Sequence, residues 1–465
     1  MLPCSNCRGS LVVDHIRGGG NLESTTMTKI AWRIMPFLTI SYFFAILDRS
    51  NVGMASLQMN GDIGLSKAAF GFGSSTFFIA YFLFEVPSNI ILKKVGARVW
   101  LARIMISWGL IAGGMAFVVG PTTYAVARFA LGAAEAGFFP GVLLYMTFWI
   151  PAGYRARVIA WFMVAIPVSG FLGSQLSAWL LSLDGALGLR GWHWLFVVEG
   201  LPVAALGVAC FFTLTERPEQ ASWLTMEEKA WLGERLRTER AAVPAGGDLS
   251  PWRLVANGYF WMLVVAGSAA LGAGSVLGVW QPQLIKLYGL SDLQTGLLNS
   301  IPYGVASIVM IAWSRSSDLS RERRWHTAIP LLAIASGFGA AGLSVGLTTT
   351  LILLSCVLAG AYSFKAPFWA LSIDFLSART AAVGLAAINA IGSLIGGLTV
   401  NVYGEILERT GHTSLAMSPI AIMGVASALL VLIATRHCRD ADVPVGNRPH
   451  GSAPGIVARM VRLRG

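Results

Sequence analysis

Residues 34–59 read IMPFLTISYFFAILDRSNVGMASLQM, and this stretch decides the class of the chain. It is apolar over the length of a bilayer-crossing helix, about 20 residues, yet Asp48 and Arg49 stand side by side near its middle. A full charge at that depth costs at least about 3 kcal/mol unless it has a partner or faces water. An acid beside a base offsets that cost, and the two are also able to take up a proton and an anion. Arg128 and Glu135 repeat the combination in another apolar stretch. Seven residues apart on one helix, they share a face about 10 Å apart. Neither faces lipid cheaply, so both are expected to point into a bundle.

Outward from this stretch the same character persists. The 465 residues are 55% hydrophobic and only 12% charged, about half the charge of a soluble domain. Apolar runs fall at about 32–58, 67–92, 98–119, 122–149, 157–182 and 193–214. After a polar stretch, six more follow at about 258–287, 293–314, 327–347, 350–376, 381–406 and 415–436. The predicted fold is therefore all-α and polytopic, with twelve transmembrane helices in two six-helix halves. Its expected organisation is a disordered N-terminal tail over 1–26, a first bundle over 27–214, a linker over 215–256, a second bundle over 257–436 and a basic tail over 437–465. Residues 1–26 lack the apolar core of a signal peptide. Met27 precedes the first run and reads as a natural start, so the tail is expected to be a mis-assigned upstream extension.

The net charge of +11 would indicate nucleic acid in a soluble protein. Here its placement is more informative. Lys93, Lys94 and Arg98, then Arg155 and Arg157, the central linker, and Arg315 with Arg321, Arg323 and Arg324 occupy alternate loops. The intervening loops hold few basic residues. By the positive-inside rule both termini and the linker are expected in the cytoplasm, in a bacterial inner membrane. No nucleic-acid role is expected. The five cysteines give no disulfide framework, and Cys4 with Cys7 lacks a second pair to complete a metal site. No Walker loop, HExxH or nucleophile triad is present, so neither an enzyme nor a cofactor is expected.

Several motifs resemble the major facilitator superfamily. Residues 89–98, NIILKKVGAR, are similar to its cytoplasmic signature in Lys93, Lys94, Gly96 and Arg98, but lack the usual acid. Residues 314–318, SRSSD, keep that acid as Asp318, and 128–137, RFALGAAEAG, resemble its motif built on an intramembrane arginine. More narrowly, LDRSN (47–51), YFLFEVPSN (81–89), GWHWLFVVEG (191–200), WQPQLI (280–285) and RRWH (323–326) resemble the anion:cation symporter family. They are similar to its tartrate, phthalate and hydroxyphenylacetate permease branch, and to sugar-acid symporters. FWALSIDFL (368–376) and TVNVY (399–403) depart from that branch, where a proline-containing stretch and a Gly-Pro are common.

The resemblance implies a carrier that imports an organic carboxylate with protons by alternating access, working as a monomer among lipids. Exporters and uncoupled facilitators of organic anions are the alternatives, and a polytopic sensor or membrane enzyme a remote one. It implies Arg49 and Arg128 on the substrate carboxylate, with Tyr81, Ser372 and Asn389 as further contacts. Asp48 and Glu135 would carry protons, and Lys93, Lys94, Gly96, Arg98 and Asp318 would serve the conformational change. Glu85 and Glu199 lie close before Pro87 and Pro202. They are expected to satisfy backbone groups freed there. Lys365 is a further potential anion contact, and Trp192 is expected in an interfacial aromatic belt.

Overall fold

The computed structural model describes residues 10–242, 254–320, 322–340, 346–375 and 381–436. Among them every regular element is helical. The first part of the chain forms α1 (Ser10–Asp62), α2 (Lys67–Val95), α3 (Ala97–Gly114), α4 (Pro121–Glu135), α5 (Phe138–Trp149), α6 (Ala152–Met163), α7 (Ala165–Leu181) and α8 (Gly191–Thr213). Then come α9 (Met226–Ala242), α10 (Gly258–Lys286), α11 (Asp292–Ser320), α12 (Arg324–Gly339), α13 (Leu347–Ser363), α14 (Lys365–Phe375), α15 (Ala381–Thr410) and α16 (Thr413–Ala434).

Local chemistry sets these boundaries. The hydroxyl of Ser66 accepts the Ala69 amide at 3.1 Å and caps α2. Pro121 opens α4, where its missing N–H has no helical partner to lose. The pairs α4–α5, α6–α7 and α13–α14 each make one crossing, giving eleven spans long and apolar enough among the described residues. Helix α12 fills the ninth position of a twelve-helix bundle, and it is described only up to the neighbourhood of residues 341–345.

Packing repeats between the halves. Helix α3 packs on α8 as α12 packs on α16, α2 on α4 as α11 on α13, and α1 on α7 as α10 on α15. Across the seam α2 meets α15, α7 meets α11, and α1 meets α10. Exchanging the halves maps the first of these seam pairs onto the second, as expected for carriers built from internal repeats.

The seam closes at one end. Gln58 Nε2 donates to Asp292 at 2.8 Å, Gln283 Nε2 to Ser56 Oγ at 2.8 Å, and the Lys67 amide to Glu408 at 2.8 Å. Further in, Asn299 Nδ2 donates to Ser174 Oγ at 2.8 Å. The Cα of Gly53 faces the backbone carbonyls of Gly278 and Val279, an approach closed to any larger side chain. At the other end α9 lies under the first half, where Lys29 Nζ meets Glu228 at 2.7 Å. Lys29 and Gln58 are about 44 Å apart along α1 at ~1.5 Å per residue. The halves therefore join at the end remote from the linker.

Two differences from expectation concern the ends of the first half. Helix α1 begins at Ser10, so helical structure enters the segment expected to be a disordered tail. Thr26 and Met27 are buried, and Tyr154 donates to Glu23 at 3.0 Å, which ties this turn to α6. The linker, expected only as a charged connection, contains α9, whose Leu232 and Leu236 join the apolar core of the first half. The basic tail over 437–465 lies outside the described residues.

Candidate functional site

Adjacent helical residues project about 100° apart, and that rotation separates Asp48 from Arg49. They do not pair. Arg49 turns toward α4, where its Nε and Nη2 donate to Glu135 Oε1 at 2.8 and 2.5 Å. Glu135 is fully buried, whereas the Arg49 side chain keeps 30% of its surface exposed. Arg128 does not pair with Glu135 either, because two turns of α4 hold them apart. The two sequence pairs thus recombine across helices. The charge offset expected within a helix is made between α1 and α4.

Aromatic faces order the cations. The Arg49 guanidinium lies 4.9 Å from the Tyr81 ring centroid and 5.7 Å from that of Phe77. Arg128 lies 4.8 Å from Phe77, so one ring on α2 serves both arginines. Arg128 is buried, and its Nε has no hydrogen-bond partner among the described residues. It carries a charge that a ligand anion would satisfy.

Glu135 is the last residue of α4. Gly137 takes φ +88°, a left-handed conformation that a Cβ would strain. A Cβ there would also collide with the Ser88 hydroxyl. The fourth crossing is therefore interrupted beside its carboxylate, as in carriers whose binding residues sit on discontinuous helices.

Asp48 points to the opposite side, into the first half. Trp108 Nε1 donates to its Oδ2 at 2.5 Å and Asn51 Nδ2 to its Oδ1 at 3.2 Å. Both carboxylate oxygens are held by neutral donors. Glu199 is also buried and accepts from Ser177 Oγ at 2.8 Å. The expected service of Glu85 and Glu199 to broken helices is not what the structure shows. Helices α2 and α8 continue through Pro87 and Pro202. Glu85 is half-buried one turn from Tyr81, within electrostatic reach of Arg49.

The second half contributes unevenly. Ser372 is buried and its hydroxyl donates to the Phe368 carbonyl at 2.8 Å, within its own helix. Asn389 is half-buried on α15. Lys365 opens α14 with its Nζ 5.1 Å from the Tyr362 ring, and the charge of Arg49 reaches it. The side chain of Asp374 lies outside the described residues.

The residues assigned to conformational change sit at the open end. Lys93 and Lys94 are exposed. Gly96 has φ +103° and ends α2. Beyond it the amides of Ala97 and Arg98 donate to Glu216 at 2.7 and 2.8 Å. The acid missing from this motif is thus supplied by the end of the sixth crossing. It caps α3, where the helix dipole favours an anion. Asp318 pairs with Arg323 of its own half at 2.9 Å. Trp192, expected at an interface with lipid, is instead buried and donates to Asp62 at 2.8 Å.

Sequence reasoning missed the recombination of charges, the isolation of Asp48, and the role of Glu216. The helix break was signalled by Gly137 and Pro140. The other features depend on rotations and contacts between helices far apart in sequence.

Comparisons with known proteins agree with this architecture. The Major Facilitator Superfamily profile matches residues 38–400. A protein of Agrobacterium vitis, provisionally named a tartrate transporter, is 44% identical over 90% of this chain and 92% of its own length. A quinolone resistance transporter of Acinetobacter baumannii is 35% identical over 89% of this chain and 95% of its own. Among solved structures, an inward-facing, unoccupied bacterial homologue of the human lysosomal transporter Spinster superposes with a TM-score of 0.73. It shares 19% identity and covers 89% of this chain and 99% of that one. With this family match, eleven membrane-length spans among the described residues and repeated halves, the chain belongs to the major facilitator superfamily and is a membrane transporter, not an enzyme.

Proposed function

We propose that this protein imports an organic carboxylate together with protons. The observation that carries the reading is the Arg49–Glu135 ion pair, whose carboxylate is sealed while its guanidinium is partly open. A substrate carboxylate competes with Glu135 for the planar fork of Arg49. A carboxyl as buried as Glu135 stays ionised only beside a cation, so losing Arg49 drives it to bind a proton. Substrate and proton then occupy the protein together, which is the requirement for symport.

Two cations favour a doubly charged substrate. Arg49 and Lys365 come from opposite halves, and the charge of Arg49 reaches Lys365. A dicarboxylate of the tartrate type would bridge them and draw the halves together. Arg128, which shares the Phe77 ring with Arg49, would add a third cation near the same ligand. With both termini cytoplasmic, the seam closes on the outer side and the substrate site opens inward. Alternating access follows when the outer contacts part and the Lys93, Lys94, Gly96, Arg98 and Asp318 region closes.

The test is uptake into proteoliposomes under an imposed proton gradient, against a panel of tartrate, sugar acids, phthalate and aromatic monocarboxylates. Substrate-dependent proton entry with tartrate is the expected result. Silence across the panel would overturn the reading. Export of a cationic or zwitterionic drug, with no carboxylate uptake, would place the chain with its quinolone resistance relative.

A further inference from the structure

The geometry points to a second proton-binding site inside the first half, in which Glu199 and Asp48 hold one proton between them through Asn51. It lies apart from the Arg49–Glu135 pair.

Four crossings build it. Asp48 and Asn51 come from α1, Trp108 from α3, Ser177 from α7 and Glu199 from α8. Asp48, Asn51, Ser177 and Glu199 are all buried, with Glu199 at 1% exposure, and the Trp108 side chain is fully covered. Every hydrogen bond in the cluster to a carboxylate comes from a neutral group: Trp108 and Asn51 on Asp48, Ser177 on Glu199. Neither acid is in an ion pair among the described residues. Arg49 is committed to Glu135, and Arg128 and Arg49 act on Asp48 only from a distance. Asp48, of the same sign, acts electrostatically on Glu199. Two like charges buried together without a paired cation are not both sustained, and one proton relieves the repulsion.

The unpartnered atoms place that proton. Glu199 Oε2 and Asn51 Oδ1 are both buried with no partner among the described residues, and Asn51 donates to Asp48 while acting electrostatically on Glu199. As the carboxyls stand ionised, the cluster is one donor short. A proton on Glu199 supplies the missing donor and leaves Asp48 as the acceptor held by Trp108 and Asn51. Rotation of the Asn51 amide, which exchanges its donor and acceptor ends, would let the cluster hold the proton on Asp48 instead of Glu199. Asp48 in turn acts electrostatically on Glu135. The cluster is therefore a proton store behind the substrate-facing carboxylate, and its role in transport rests on the symport reading above.

Infrared spectroscopy of the purified protein tests the site without requiring transport. At about neutral pH the wild type should show the C=O stretch of a neutral carboxylic acid. Glu199→Gln should remove one equivalent of it, and Glu135→Gln should retain that equivalent. Ser177→Ala, which leaves both acids in place, should shift the band and serves if Glu199→Gln does not fold. A spectrum unchanged by Glu199→Gln, and by Ser177→Ala, overturns the site. In proteoliposomes, the reversal potential should show one proton fewer per substrate in Glu199→Gln than in the wild type. An unchanged ratio overturns its role as a transported proton. If wild-type uptake is not driven by protons at all, the symport reading fails, and the infrared result still decides whether the site exists.

Discussion

Arg49 donates through both Nε and Nη2 to one oxygen of Glu135, and lysine does not reproduce this planar grip. Arg49→Lys is therefore expected to weaken substrate binding at least tenfold, about 1.4 kcal/mol, measured by thermal shift or direct binding. Glu135→Gln keeps the size of the side chain and removes its proton chemistry. It should retain exchange of labelled substrate across the membrane while losing accumulation driven by a proton gradient. Retained gradient-driven accumulation would remove Glu135 from the coupling path. Lys365→Ala separates substrate classes: affinity for dicarboxylates should fall about tenfold, ~1.4 kcal/mol, and affinity for monocarboxylates should change little. Equal losses for both classes would assign Lys365 a packing role against Tyr362.

Helix breaks and caps carry the next level of organisation. Gly137 combines a left-handed backbone with direct contact to Ser88. Gly137→Ala should lower stability by roughly 1–2 kcal/mol, read as a decrease in Tm of the purified protein. Helix α9 is started by a reciprocal cap. The Thr225 amide donates to Glu228 at 2.8 Å and the Glu228 amide to Thr225 Oγ1 at 3.2 Å. Burial pushes the Glu228 carboxyl up, but Lys29 and the Thr225 amide outweigh it and hold it below its ordinary 4.5. An acid lowered by folding stabilises the fold fully above its ordinary value. That contribution disappears as the pH falls through the lowered one. Amides of α9 should accordingly exchange faster with solvent as the pH falls below 4.5 and through the lowered value, and Glu228→Gln should flatten this dependence. Unchanged pH dependence in Glu228→Gln would show that Glu228 does not hold α9 in place.

For the whole molecule, the proposed alternating access would make the closed end of the seam control which side the site faces. Asp292 receives Gln58 from the opposite half and Lys286 from its own, at 2.8 and 2.6 Å. Such partly exposed contacts are worth only about 0.2–1 kcal/mol each. That suits a seam that would open in every cycle of the proposed mechanism. Asp292→Ala should move the population toward the outward-open state, seen as greater labelling of a cysteine placed at Ser56. Unaltered labelling would shift the weight of closure to the backbone contact at Gly53.

The sequence by itself determined that the chain spans a membrane in two similar halves, because apolar length, turn residues and loop charges are local properties. It also marked the residues that matter, since charges such as Asp48, Arg49, Arg128 and Glu135 are rare at membrane depth and need a reason. Which charge meets which was decided by the tertiary structure alone. A rotation of about 100° per residue sends Asp48 toward Trp108 and Arg49 toward Glu135, and no pattern along one helix reveals what the neighbouring helix presents. For the same reason, the capping of α3 by Glu216 and the seating of Glu199 against Ser177 appear only when distant segments pack.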